Sequence, residues 1–342
     1  MAKPKVFVVQ PIMEVGRRAL EEFADVDVFE SDRMIGRSEL LERTRDCDYI
    51  WMLGDTPIDA EVIAANDNLK GIATMALFPN VVDVEAATAR EIPVTVVPHV
   101  ITKTTCDLTC ALVIGLAWRL IEADAFVRAG RFHQEQSTAF LTHELAGKVV
   151  GMIGLGAIGT EIVKRLRAFE MEIVYTKRNR LPAEEEAELG VAWEEDRDEL
   201  LRRSDFVVLM TTYNESTHKL IGEREFELMK PSAFFVNAAR GRIVDEPALV
   251  AALRDGQIAG AGLDVYWNEP PISEPAPSPE LFEFDNVILT PHMGSATHEA
   301  REKMAMAVVE NLRAMIDGER PPGVVNPEVY GEAPALQPDR LG

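Results

Sequence analysis

Between residues 147 and 180 the chain reads GKVVGMIGLGAIGTEIVKRLRAFEMEIVYTKRNR, an order of residues that few folds accommodate. Val149, Val150, Met152 and Ile153 make a short apolar run suited to a strand covered on both faces. Gly154-Leu155-Gly156-Ala157-Ile158-Gly159 interrupts it, and Ile162, Val163, Leu166 and Phe169 then recur at helical spacing. A second apolar run at 172–175 completes a predicted β-α-β unit. The three glycines have separable tasks: Gly154 permits a tight turn, Gly156 lets the backbone approach a pyrophosphate, and Gly159 lets the helix lie close to the strand. The first helical N–H groups, around Ala157 and Ile158, are free to meet phosphate oxygens. A lone G-x-G-x-x-G is weak evidence, but between a strand and a helix it predicts a dinucleotide-binding unit.

The end of the second strand bears on which dinucleotide is held. An acidic residue about 20 positions after the glycines normally binds the ribose hydroxyls of NAD. Thr176 stands there instead, followed by Lys177, Arg178 and Arg180. A carboxylate that would repel a 2′-phosphate is missing, and cations that would pair with one are present. NADP(H) is therefore expected to be preferred, with NAD(H) left open. The blander alternative is a solvated basic loop.

At 342 residues, 47% hydrophobic and 27% charged, the chain has room for about two domains with real cores. Its net charge of −22 makes nucleic acid and anionic membranes poor partners. Much of the acid falls at 183–190 and 193–201, which read as solvated helix faces. No apolar run is long enough to span a bilayer, and the short run in MAKPKVFVVQP reads as a first strand rather than a signal sequence. A cytoplasmic location is expected. Cys47, Cys106 and Cys110 are odd in number and lack metal-ligand spacing, so reduced thiols packed in helices, and no metal, are expected.

From residue 5 strands and helices alternate, with strands at 6–9, 26–29, 48–52 and 69–73 and helices through 15–23, 38–45 and from 57 onward. This is an α/β pattern. A first domain ends near His99, after which 101–122 reads as one long helix and 123–144 as a polar arm expected to pack on a second subunit in a homodimer. Beyond Arg180, strands at 205–209, 233–237, 262–266 and 287–292 alternate with helices at 198–202 and 245–254. A last amphipathic helix covers 298–317, and the tail beyond Gly331 reads as disordered. Every candidate functional residue follows one of these strands, at the edge where open parallel sheets bind ligands.

Three of those residues suit one reaction. Arg240 follows a strand and precedes a glycine, and its planar fork can clamp a carboxylate and the adjacent carbonyl oxygen. His292, between Pro291 and Met293-Gly294, is the side-chain type best suited to exchanging a proton near neutral pH. Glu269, before Pro270-Pro271, can contact His292 and hold its ring. Each has a bland alternative: a surface Arg, a structural His, a loop glutamate.

Taken together with GLGAIG at 154–159, the runs NAARGRIVDEPAL at 237–249, GLDVYWNEPP at 262–271 and TPHMGSAT at 290–297 resemble, in this order, the motifs of the D-isomer-specific 2-hydroxyacid dehydrogenase family. The resemblance covers residues 5–328, and YTKR at 175–178 is similar to the NADPH-preferring glyoxylate and hydroxypyruvate reductase branch. It implies two Rossmann-like, doubly wound parallel-sheet α/β domains, the cofactor domain (100–298) inserted into the substrate domain (1–99 and 299–342), with the active cleft between them. It implies reversible hydride transfer between NAD(P)H and a small 2-oxo acid. Arg240 would bind the acid, His292 would be the general acid/base with Glu269 as its partner, and Asp264 would meet the nicotinamide end of the cofactor. Thr211, Thr212, Ala238, Ala239, Arg240, Asp264, His292 and Gly294, at the same strand ends, join Gly154, Gly156, Ala157, Ile158, Gly159, Thr176, Lys177 and Arg178 in the implied cofactor set.

Two departures stand out. Where the family has a glycine-containing loop that offers N–H groups to the substrate carboxylate, this chain has Leu77, Phe78 and Pro79, and proline has no N–H. Leu77 and Phe78 are expected at the substrate, favouring a 2-oxo acid with an apolar side chain; the alternative is that both turn into the domain core. Met210 and Thr212 also replace the family's usual His and Pro beside the cofactor. Other readings are a phosphite-type dehydrogenase, a formate-type dehydrogenase, which a proton-delivering Glu269–His292 pair argues against, and a cofactor-sensing corepressor-like protein.

Overall fold

Parallel strands dominate the chain because its apolar runs are short, continuous and separated by helices. The computed structural model describes residues 2–97, 100–132, 138, 140–269 and 276–331. The chain divides into two units, Met1–Val100 with Ala296–Gly342, and Ile101–Ser295, so the second is an insertion within the first in sequence.

In the first unit β1 (Lys5–Val8), β2 (Asp25–Val28), β3 (Tyr49–Met52), β4 (Gly71–Thr74) and β5 (Val94–Thr95) form a parallel sheet of order β2-β1-β3-β4-β5. α1 (Glu14–Glu21), α2 (Arg37–Thr44), α3 (Ala60–Ala64) and α4 (Val84–Ala89) connect them. β3 and β4 are buried along their whole length, as strands covered on both faces must be. Asp59 and Asp83 start α3 and α4 by accepting from the N–H groups of Val62 and Ala86, which would otherwise lack partners. Leu77 and Phe78 follow β4 at the C-terminal edge of the sheet, half-buried and outside the unit's buried core cluster.

The second unit begins with α5 (Thr102–Ala117) and α6 (Leu120–Arg128). β6 (Val149–Ile153), α7 (Ala157–Arg167), β7 (Glu172–Thr176), α8 (Ala183–Leu189), β8 (Val191–Trp193), α9 (Arg197–Arg203) and β9 (Phe206–Leu209) follow. α10 (Glu223–Leu228), β10 (Phe234–Asn237), α11 (Glu246–Arg254), β11 (Gly260–Leu263) and β12 (Val287–Leu289) complete it. All strand pairs are parallel, in the order β12-β11-β10-β9-β6-β7-β8. The order reverses between β6 and β9, the arrangement that opens a crevice for a dinucleotide beyond the strands' C-terminal ends. Successive residues of the central strands serve opposite cores: Val207, Leu209 and Phe235 pack on one face, Phe206, Val208, Phe234 and Val236 on the other. Each such side chain, fully buried, contributes about 1.5–3 kcal/mol relative to exposure. The chain then returns to the first unit through α12 (His298–Ile316), capped by Thr297.

The structure corrects several expectations. The helix expected at 101–122 is two helices, because Arg119 takes a left-handed conformation (φ 49°) between α5 and α6. The break frees the carbonyl of Ala117, which accepts from the N–H of His143 (3.0 Å), and Arg119 pairs with Glu122 in the first turn of α6. The arm at 123–144 is therefore helical as far as Arg128; its residues 133–137 and 139 lie outside the described residues. The acidic run at 193–201 is not one helical face, since Trp193 ends the edge strand β8. Glu186, expected on a solvated face, is buried. Phe169 lies past the end of α7 and is exposed, and Cys47 sits in a turn before β3 rather than in a helix. The tail expected to be disordered, 332–342, is outside the described residues.

Candidate active site

The glycine loop joins β6 to α7, and Gly154 shows why no larger residue serves at its first position. Gly154 has φ +93°, and a Cβ there would lie 2.4 Å from the carbonyl oxygen of Met210. Gly156, which caps α7, has no atom within 4 Å of where its Cβ would project. The open space and the first N–H groups of α7, at Ala157 and Ile158, therefore fit a pyrophosphate. Gly159 lies against Leu155 and Met152 as the helix passes over the strand. Thr211 and Thr212 follow β9 beside this loop, and Ala238 and Ala239, both buried, follow β10.

At the far end of β7 the three cations expected to act together are separated. Lys177 Nζ donates to the carbonyl of Leu155 within the glycine loop (3.0 Å). Arg180 is engaged by Glu186 through both carboxylate oxygens (2.8 and 2.7 Å). Tyr175 Oη donates to the same carboxylate (2.6 Å) and accepts from the N–H of Leu181 (2.9 Å). Held by Arg180 and Tyr175, the Glu186 carboxyl falls to about 2. Arg178 is exposed and makes no hydrogen bond or ion pair among the described residues. Of the three, it is the cation left beside Thr176.

The three residues with a chemical assignment come together in the second unit. His292 has φ +49°, a conformation histidine reaches more readily than most side chains, and this turns it out of the strand direction. Its Nδ1 donates to Glu269 Oε2 (2.7 Å); a carboxylate can only accept, so Nδ1 carries the hydrogen. The imidazole is half exposed (51%) while Glu269 is mostly covered (19%), and His292 Nε2 makes no hydrogen bond among the described residues. Glu269 Oε1 accepts from the N–H of Tyr266 (2.9 Å), which fixes the carboxylate behind the ring. Arg240 is half-buried, and among the described residues its guanidinium donates only from Nη1, to the carbonyl of Ala239 (2.7 Å). Burial lowers its guanidinium from the ordinary value, and the charge of Glu269 opposes that shift. A desolvated cation with most of its donors unused is a site for an anion.

Asp264 holds the histidine loop. Its Oδ1 accepts from Thr290 Oγ1 (2.6 Å) and the N–H of Met293 (2.8 Å), and its Oδ2 accepts from the N–H of Gly294 (3.0 Å). Of about four lone-pair positions on a carboxylate, three are thus taken by the loop carrying His292, and one is left for an amide donor. Gly241 explains the glycine after Arg240: a Cβ there would sit 1.8 Å from the carbonyl oxygen of Tyr266.

Sequence reasoning missed Glu246, Glu186 and the grip of Gly241 on Tyr266. Only the motif VDEPAL hinted at Glu246, and its partners lie 21 and 32 positions away. Leu77 and Phe78 belong to the other unit and are described there.

The chain that carries this glycine loop, half-buried arginine and carboxylate-backed histidine is similar to known proteins. A sequence model described as D-isomer specific 2-hydroxyacid dehydrogenase, NAD binding domain, matches residues 110–294. A glyoxylate reductase of Thermococcus gammatolerans is 45% identical over 331 residues, 96% of this chain and 97% of that protein. A crystal structure of a Thermus thermophilus protein superposes with a TM-score of 0.86 at 36% identity, covering 94% of this chain and 99% of the other. An NADPH-dependent glyoxylate/hydroxypyruvate reductase of Sinorhizobium meliloti, solved with NADP and malonate, superposes at 0.78 with 30% identity, covering 98% and 100%. The chain belongs to the D-isomer specific 2-hydroxyacid dehydrogenase family, and is an NAD(P)-dependent oxidoreductase of the 2-oxo acid reductase type.

Proposed function

We propose that the chain reduces a small 2-oxo acid to the D-2-hydroxy acid with NADPH, using Arg240, His292 and Glu269. The observation that carries this reading is the pairing of an anion-seeking Arg240 with a His292 whose Nδ1 is held by Glu269 and whose Nε2 is free. The cofactor supplies hydride to the C2 carbonyl carbon. Arg240 binds the carboxylate and carbonyl oxygen and stabilises the negative charge that grows there. Doubly protonated His292 releases the Nε2 proton to that oxygen, while Glu269 holds the ring and stabilises its cation. Asp264 keeps the His292 loop in place and offers its remaining lone pair to the carboxamide of the nicotinamide. The five-stranded unit is the substrate domain in this reading. Neither the phosphite- or formate-type dehydrogenase nor the corepressor reading is favoured by the relatives, which are named for 2-oxo acid reduction.

A panel of 2-oxo acids, assayed with NADPH and with NADH, tests the assignment; absence of turnover on every acid would overturn it. Within the panel, Leu77 and Phe78 are expected to favour acids with apolar side chains over glyoxylate, by about fourfold for each buried methylene at ~0.8 kcal/mol. Highest kcat/KM on glyoxylate or hydroxypyruvate would show that these two residues do not shape the pocket, leaving Arg240 and His292 in their roles.

NADPH preference is supported by the absence of an acid at Thr176 and by the unpaired Arg178. A charged hydrogen bond is worth about 1.5–3 kcal/mol, so Arg178→Gln is expected to lower kcat/KM for NADPH by about 10- to 150-fold and to leave NADH nearly unchanged. Arg180→Gln should do much less, because Glu186 already occupies that side chain. A wild-type preference for NADH would sink the proposal.

The chain is also proposed to be a homodimer. Trp118, Leu120, Ile121, Val127, Phe132 and Leu141 are each more than half exposed in and around α6, an apolar surface that a second copy would cover. Light scattering at micromolar concentration should give twice the chain mass; a monomer would refute it. Cytoplasmic residence is part of the same reading. Among the described residues, no helix is long and apolar enough to cross a membrane.

A further inference from the structure

Glu246 opens α11, next to the segment that carries Arg240, and each of its two carboxylate oxygens takes a backbone N–H. Oε2 accepts from the N–H of Trp267 (3.2 Å), and Oε1 accepts from the N–H of Ser278 (3.2 Å). These donors flank the stretch in which Glu269 lies. The 266–267 backbone also lies close against Gly241, and Arg242 Nε donates to the carbonyl of Trp267 (3.3 Å). Glu269 in turn accepts from Tyr266 and takes the hydrogen of His292 Nδ1. A chain of contacts therefore runs from the Arg240 segment through Glu246 and the 266–269 backbone to the imidazole.

Keeping a carboxylate at that place is costly. Burial pushes the Glu246 carboxyl up from its ordinary value, and the negative charge of Glu269 pushes it the same way. No cation pairs with Glu246 among the described residues, so the two backbone N–H groups are its compensation. A neutral acceptor would satisfy either N–H singly; only a carboxylate or a similarly forked group reaches both sides of the loop at once.

We infer that Glu246 is a positioning residue: by holding the backbone at Trp267, two residues before Glu269, and at Ser278, it sets the distance and orientation of the Glu269–His292 pair relative to Arg240. The inference rests on the roles proposed above for Glu269 and His292. Misplacement of a catalytic group by about 1 Å can cost as much as 10²-fold in rate. With those two hydrogen bonds lost but Arg242 still donating to the carbonyl of Trp267, the loss should be smaller, roughly tenfold.

The experiment measures kcat and both KM values, with NADPH and the best acid of the panel, for Glu246→Gln, Glu246→Ala, Glu269→Gln and the Glu246→Ala/Glu269→Gln double variant. Glu246→Gln keeps the shape and one acceptor, and guards against loss of folding in the alanine variant. Glu246→Ala is expected to lower kcat roughly tenfold and Glu246→Gln by less, each with KM for NADPH changed by less than about twofold. The double variant should be no slower than Glu269→Gln alone, because with the Glu269 carboxylate gone there is nothing left to position. Unchanged kcat in both Glu246 variants, or multiplicative losses in the double variant, would overturn the inference while leaving the roles of Glu269 and His292 intact. A fully active Glu269→Gln would overturn those roles and the inference together.

Discussion

Replacing His292 with alanine is expected to lower kcat by about 10²–10⁴-fold, the range that positioned proton transfer supplies. KM for the cofactor should hardly move, because the glycine loop, Thr176 and Arg178 lie on other strands from His292. The geometry makes the separation sharp: Nδ1 is committed to Glu269 at 2.7 Å, so Nε2 alone is free to deliver a proton. Alanine at this position inherits a φ of +49°, and a circular dichroism melt should accompany the kinetics to show that the loop still folds. Asp264, with three hydrogen bonds to 290–294, holds the loop whatever side chain stands at 292. Turnover within threefold of wild type would remove His292 from the mechanism.

Arg240→Met should reduce kcat/KM for the 2-oxo acid by a comparable or larger factor. Two charged hydrogen bonds at about 1.5–3 kcal/mol each correspond to roughly 10²–10⁴-fold, and the growing charge on the carbonyl oxygen adds a kcat component. Arg240→Lys should recover only part of this, since an ammonium is a point charge without the planar fork. The thermal midpoint separates a binding role from a structural one. In the free protein Arg240 is desolvated and donates a single hydrogen bond, so methionine in its place removes a buried charge and should leave stability equal or higher. A large fall in Tm with kcat/KM for the acid preserved would mean that Arg240 serves the fold.

Much of the site was legible because its signals are local. A five-residue apolar run, a glycine spacing and a helical period occupy contiguous stretches, and each is set by backbone sterics or side-chain direction that neighbours a few positions away determine. Thus the β6-loop-α7 unit, and the placing of Arg240, Asp264 and His292 after successive strands, follow from reading the chain in order. What escaped the sequence is a set of choices between partners. Whether Arg180 is free for a phosphate depends on Glu186 reaching it beside Tyr175, and a run of three glutamates at 184–186 does not say which of them turns inward. The end of the α5 helix leaves a carbonyl, that of Ala117, which is satisfied by His143, 26 positions on.

The sequence by itself determined that this chain builds parallel α/β sheets, sets a glycine loop between β6 and α7 and carries a histidine, an arginine and a glutamate after its strands, because period and turn chemistry act over short range. Only the tertiary structure decided how the carboxylates are used: Glu269 for the imidazole 23 positions away, Asp264 for the loop 26–30 positions away, Glu246 for backbone N–H groups 21 and 32 positions away. A buried carboxylate must find donors wherever the packed backbone presents them, and that geometry exists only once the strands are side by side.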